Sequence, residues 1–390
     1  MLERSVAAAA LCALGPLGTA SGLVACGASS SASAGFVPFG TPEGGSFDAT
    51  TDAHPLDAGG DSGTSPEPIL FVNASPSLGA IRLCWSVGSQ PLSATAVPFP
   101  SGAPMPASNY AGVAVGGAEW LDAERTNELI DGDLTLYALD AKPLVTSHEE
   151  ALPCGQLICN AGCNLKLNRA YWRVGTVIPA GSLSPGRANV IAITGCLGSG
   201  ADLTATTARC GATWDSVRGN LHADVVSLAS SAVDDGGLAV QAVQLSPGIA
   251  WLSADAGGTV VTFGREADPD AALVAQLADE ATFGPPSAVR LALPTGLAAF
   301  GQFGFGLEVP RPGSGPPARA WTSLAQAQSL INPALDPTRY YGAAGTYIVA
   351  IVGDPSVAQA VAQATGPSDD AGYDGTGLHV LVLPPRSPAP

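Results

Sequence analysis

The residues with the most chemical potential in this 390-residue chain are its cysteines, and six of them fall between positions 84 and 210: Cys84, Cys154, Cys159, Cys163, Cys196 and Cys210. Two chemistries use cysteines at such spacings. Cys154-x4-Cys159-x3-Cys163, with Cys196 further on, is one residue away from the x4-then-x2 spacing of plant-type ferredoxins. Cluster ligands must converge on fixed iron positions, so that residue counts against an iron–sulfur site. Zinc prefers close Cys or Cys/His pairs, and His148 is the nearest histidine to the cluster. The even count instead suits disulfides, with fifteen connectivities open. Cys196 and Cys210 flank a Gly/Ala/Thr loop and form the simplest pair. Cys84 lies on the strand face opposite Ile81, Leu83, Trp85 and Val87, so its partner must come from a segment covering that face. One bridge within the Cys154–Cys163 cluster and one from it to Cys84 is the favoured pattern. Each closure of this kind stabilises by about 2–4 kcal/mol. No metal and no cofactor is expected.

The other reactive side chains are scattered. Gly60-Asp61-Ser62-Gly63 matches the nucleophile turn of chymotrypsin-like proteases, but it sits in a repetitive linker with only His54 nearby. His148-Glu149-Glu150 supplies half of a metalloprotease helix motif and lacks the second histidine four residues on. His222 and His379 read as structural histidines. Asp369, Asp370 and Asp374 depart from calcium-loop spacing and read as a solvated acidic loop. The sequence contains no phosphate-cradling glycine loop and no Gly-x-Ser-x-Gly elbow. A hydrolase would have to assemble its site from distant residues such as His148, Glu149 and Asp224.

Two further cysteines, Cys12 and Cys26, lie near the start. Ser5 to Ala25 carries no charge and follows Arg4, and Leu23-Val24-Ala25-Cys26 closes it. The stretch resembles a signal peptide of residues 1–25 ending in a lipobox, in which Cys26 is lipidated and becomes the new N-terminus. A diacylglycerol and an N-acyl chain would together give stable membrane anchoring. That address is oxidising, which favours disulfides over a metal cluster for the remaining cysteines.

The elements that must position these residues are mostly strands. Charged residues are few, with 16 basic against 33 acidic, and Gly (48) and Pro (33) are many, which favours short strands and turns over amphipathic helices. The net charge of −17 repels phosphate backbones, so nucleic acid is excluded as a partner. Residues 26–67 are Ser/Ala/Gly/Asp-rich and read as a flexible tether. Strands are expected at Ile69–Val72, Ile81–Val87, Val113–Val115, Leu134–Leu139, Val190–Thr194 and Asp224–Leu228. A second set follows at Val240–Leu245, Val260–Phe263, Val289–Leu293, Phe303–Val309, Tyr347–Val352 and His379–Leu383. Short helices are expected over Asp268–Ala281 and Asp354–Thr365, the second with Asp354 as N-cap and Pro355 at the first helical position. A frayed tail covers 385–390.

Two internal echoes indicate duplication. Residues 71–78 align with 242–249, and Val190 to Gly195 aligns with Ile348 to Gly353, in the same order in both halves. The expected fold is therefore all-β: a disulfide-bearing sandwich over 68–219, a junction over 220–237 and a second sandwich over 238–384. Phe71-Val72-Asn73-Ala74-Ser75-Pro76, Tyr347 to Pro355, and Gly377-Leu378-His379-Val380-Leu381 resemble the domain-of-unknown-function 4397 family. The resemblance implies exported, often lipid-anchored proteins with repeated immunoglobulin-like sandwiches; the family has no established catalytic residues, so it implies a fold and a location and not a reaction. The expectation is thus a cell-envelope binding or structural lipoprotein. Its partners would be the membrane and a surface polymer, glycan or protein, with Trp120, Trp214 or Trp321 as candidate sugar-stacking rings. A passive scaffold and an exported hydrolase are the competing readings.

Overall fold

The computed structural model describes residues 69–385, except for 102–111, 122, 131, 159–170, 184–187, 202–204, 229–236, 250–257, 278–287, 311–316, 332–334, 343–344 and 355–376. Cys26, Cys159, Cys163, the tether and the acidic loop at 369–374 lie outside the described residues. The first half contributes β1 (Ile69–Asn73), β2 (Ile81–Val87), β3 (Ala118–Trp120), β4 (Leu134–Asp140), β5 (Tyr171–Arg173), β6 (Asn189–Thr194) and β7 (His222–Ser227). The second half contributes β8 (Gly237–Gln244), β9 (Thr259–Arg265), β10 (Ala272–Leu277), β11 (Val289–Ala292), β12 (Phe303–Val309), β13 (Ala318–Ser323), β14 (Thr346–Val352) and β15 (His379–Leu383).

These strands form four sheets, ordered β2-β4-β5, β3-β1-β6-β7, β11-β8-β14-β15 and β10-β9-β12-β13. The chain is all-β, built as two sandwiches with a few short helices. The two inner sheets share one topology. Each opens on a strand that pairs in parallel with a strand far along the chain, β1 with β6 and β8 with β14. The strand that follows returns antiparallel, β7 on β6 and β15 on β14. The two echoes seen in the sequence are these opener and closer strands. β7 comes from the stretch assigned to the junction and forms the edge of the first inner sheet.

Side-chain alternation explains how the layers stack. In β1, Ile69 and Phe71 join Leu83, Leu136 and Ile191 between the sheets of the first sandwich. Val240, Val261, Phe305, Val349 and Ile351 fill the second sandwich. The alternate residues of the inner strands, among them Leu70, Val72, Val190, Ala192, Val243, Ile348, Ala350 and Leu381, form a third apolar layer between the two inner sheets. The described residues accordingly belong to one compact unit. A strand buried on both faces has no polar side to show, which is why β6, β14 and β15 are continuous apolar runs. Three tyrosines sit deep in the second sandwich, and each hydroxyl finds a carbonyl: Tyr340 at Val382 (2.6 Å), Tyr341 at Leu324 (2.7 Å) and Tyr347 at Tyr340 (2.7 Å).

Two expectations are corrected. Residues Asp268–Ala281 do not begin a helix: Asp268 heads a tight turn and Ala272–Leu277 is β10, paired antiparallel with β9. A register shift between Leu273 and Ala275 turns Val274 and Leu277 to the same core, so their spacing of three mimics helical periodicity. Val113 makes only an isolated bridge to Ile81. Asp354 makes a parallel bridge with Gly377, and the rest of its expected helix lies outside the described residues. Deleting most of Ile348, which is fully buried between the inner sheets, should show the weight of that layer. Ile348→Ala is expected to cost about 2–5 kcal/mol in urea unfolding, against less than about 0.5 kcal/mol for Leu273→Ala at an exposed edge.

Candidate functional site

The polar side chains with chemical potential gather where the inner strands end. β6 ends at Thr194 and β14 at Val352, and a glycine with positive φ follows each, Gly195 (φ 77°) and Gly353 (φ 93°). The opener turns reach both glycines in the same way. Ser75 Oγ donates to the Gly195 carbonyl at 2.7 Å, and Ser246 Oγ donates to that of Gly353. A histidine begins the next strand in both halves, opposite the last residue of the closer: His222 faces Thr194 and His379 faces Val352. In both, Nδ1 donates to the carbonyl two residues back, Asn220 for His222 (2.7 Å) and Gly377 for His379 (2.6 Å). Serine, glycine and histidine therefore recur as one end-of-sheet device. His379 reaches the other sandwich, its Nε2 lying 3.3 Å from the Gly116 carbonyl.

In the first sandwich the device is elaborated. Thr194 Oγ1 donates to Asp224 Oδ2 at 2.7 Å, while His222 Nε2 lies 3.0 Å from Thr194 Oγ1 and 3.1 Å from Asp224 Oδ2. The grouping contains a hydroxyl, an imidazole and a carboxylate, but its wiring is not that of a nucleophilic triad. Such a triad places hydroxyl and carboxylate on opposite ring nitrogens. Here both sit on Nε2, and Nδ1 is used by a backbone carbonyl. Thr194 is also only 4% exposed, so its hydroxyl is closed to a substrate. The arrangement favours imidazolium: the hydrogen bond to Asp224 raises the His222 pKa above its ordinary 6.5, against the opposing effect of partial burial.

Asn220 links this cluster to the disulfide loop. Its amide oxygen accepts from the Cys196 amide (2.8 Å), and its amide nitrogen donates to the Cys210 carbonyl (2.9 Å) and to Thr213 Oγ1 (3.0 Å). Cys196 and Cys210 are bridged with Cα atoms 5.4 Å apart, and both are fully buried. Between them, Thr206 caps the one-turn helix Thr207–Cys210, which presents Arg209. The guanidinium donates to the Pro76 carbonyl in the first opener turn and lies 3.4 Å from Asp354 Oδ2 in the second sandwich.

The second bridge joins Cys84 to Cys154 on the outer face of β2, away from the sandwich core. The helices Ala141–Thr146 and Cys154–Leu157 cover that face with Leu144 and Leu157. Both faces of β2 are therefore buried over Ile81–Trp85. Arg82 is also enclosed there at 1% exposure; burial lowers its pKa, and the nearby Glu150 opposes that shift.

The dispersed hydrolase residues are not brought together. His148 and Glu149 follow the helix Ala141–Thr146 outside the first outer sheet, and Glu149 Oε2 accepts from Ser147 at 2.6 Å. Asp224 lies on the inner sheet's opposite face, so two sheet layers at a spacing of roughly 10 Å separate them. The three candidate tryptophans are partly buried. Trp120 packs into the layer between the inner sheets, and Trp214 packs on the Cys196–Cys210 bridge with Nε1 donating to the Leu197 carbonyl (2.9 Å). Trp321 is half-buried on β13 opposite Gly306. Sequence reasoning missed Asn220 and Arg209. The one available signal was the position of Arg209 next to Cys210; Asn220, ten residues further on, carried none. No protein family, curated protein or solved structure gives a match to the chain.

Two measurements probe these ends. A Cβ at Gly353 would lie 2.0 Å from the Gly377 carbonyl in a left-handed backbone conformation. Gly353→Ala should lose about 1–2 kcal/mol from the backbone alone, with the displaced carbonyl adding to it, in urea unfolding. For His222 the folded pKa is raised, so its stabilisation is fully present below the unfolded value near 6.5 and is lost as pH rises through the folded value. The Tm difference between the native chain and His222→Gln should therefore be largest near pH 6 and shrink toward pH 9.

Proposed function

We propose that this chain is a cell-envelope lipoprotein with a binding or structural role: two immunoglobulin-like sandwiches held at the membrane by a lipid on Cys26. One observation carries the non-enzymatic part of the reading. The group nearest to catalytic wiring, Thr194–His222–Asp224, is closed in on itself and serves the end of a sheet. The bridges Cys84–Cys154 and Cys196–Cys210 support an oxidising compartment. The lipobox-like Leu23-Val24-Ala25-Cys26 and the resemblance to the domain-of-unknown-function 4397 family support the anchor and the export route. The two sandwiches, joined through a shared apolar layer, suit a rigid body that presents its loops at a distance from the membrane.

Intact mass and non-reducing peptide mapping of the membrane fraction test this reading. The expected product begins at Cys26 with a diacylglycerol and an acyl chain, and Cys26→Ala moves the protein to the soluble fraction. A soluble chain that retains Met1 and free thiols overturns the reading. A screen of glycans and cell-wall polymers separates a binding protein from a passive scaffold. Turnover of an ester, peptide or glycoside that is abolished by Asp224→Asn would favour the exported hydrolase instead.

A further inference from the structure

All eight cysteines precede residue 211, so the second sandwich has none of its own. It nevertheless meets one of the bridges. The loop closed by Cys196–Cys210 lies against two turns of the second sandwich, one after β8 and one after β14, both at the same end of that parallel pair. At Gly211, next to the bridge, an added Cβ would come within 2.6 Å of the Pro247 carbonyl, so the two backbones are in close contact. Pro247 belongs to the opener turn after β8. One residue before Gly211's half-cystine, Arg209 extends toward Asp354, which follows the closer β14. The same guanidinium holds the Pro76 carbonyl in the first sandwich. Arg209 is 15% and Asp354 3% exposed, so this ion pair is well shielded from water and salt. In the second sandwich the two turns are already tied to each other, Leu245 N–H to the Ile351 carbonyl (2.9 Å) and Ser246 Oγ to that of Gly353.

We propose that the Cys196–Cys210 loop is a latch between the sandwiches: the first sandwich's disulfide, acting through Arg209, sets how readily the end of the second sandwich opens. Without the bridge, the one-turn helix carrying Arg209 loses its covalent tie to β6 and is left to non-covalent contacts such as its threonine cap and the Asn220 bonds. The guanidinium is then no longer fixed over both turns, and Asp354 loses a shielded cation. The Cys84–Cys154 bridge lies on the far side of the first outer sheet and has no part in this coupling. The latch does not depend on the proposed envelope role, because it concerns internal contacts alone.

Hydrogen–deuterium exchange on the full chain tests it. Three variants are compared with the native protein: Cys196→Ala/Cys210→Ala, Arg209→Met with the bridge intact, and Cys84→Ala/Cys154→Ala as control. Expected is a rise of at least about tenfold in exchange at 245–249 and 351–354 in the first two variants, with those peptides unchanged in the control. Arg209→Lys, which keeps the charge, should restore part of the protection. If the first variant exchanges faster only within 196–220, or if Arg209→Met leaves 245–249 and 351–354 at the native rate, the latch is refuted. Should removal of the bridge prevent folding altogether, Arg209→Met decides the question alone.

Discussion

The apolar layer between the two inner sheets sets the terms for the rest of this structure. Once Leu70, Val190, Ile348 and Leu381 are buried there, β1, β6, β14 and β15 have no face left for water. Their backbone groups are satisfied along the strands by neighbouring strands, but at the strand ends the ladder stops. Polar side chains must finish it within the protein. This accounts for the concentration of Ser75, Ser246, Asn220, His222 and His379 at one set of turns, and for each of them bonding to a backbone carbonyl or amide. His222 and His379, which look available for chemistry in the sequence, are bonded at the ends of sheets.

The same constraint explains what could be read in advance. Continuous runs such as 189–194 and 346–352 were legible as strands because burial on both faces selects Val, Ile and Ala without alternation. The duplication was legible because the opener and closer strands repeat in order. Cys196 and Cys210 could be paired because a short loop separates them, and Cys84 could be directed to an outer-face partner by its parity in β2. Illegible were the events that depend on tertiary packing. The shift between Leu273 and Ala275 turned a strand into an apparent helix. Arg82 gave no sign that helices would bury it, since an arginine in an alternating strand normally marks the wet face. Asn220 carries no motif, and its importance comes from bonding the backbone of both half-cystines of a bridge that it follows in the chain.

The two halves also show how a repeated unit diverges without losing its frame. Both keep the serine, the left-handed glycine and the histidine. In the first, the histidine contacts a threonine and an aspartate of its own sheet; in the second, it reaches a carbonyl of the neighbouring sandwich. Only the first has bridges among the described residues. The asymmetry falls where the sandwiches touch, which is where a duplicated pair has to become non-identical.

The parallel pairing of opener with closer has a consequence for how the chain folds. Ser75 and Gly195 are 120 positions apart, and Ser246 and Gly353 are 107 apart. Contacts of such long range place the protein among slow folders, because loop-closure entropy is lost before the pairing is gained. At ~5–20 residues per second of synthesis, β1 precedes its partner by roughly 6–24 s. Neither sandwich can close as its strands emerge one by one. Each inner sheet assembles late and nearly at once, around a closer strand that inserts between two strands made at different times.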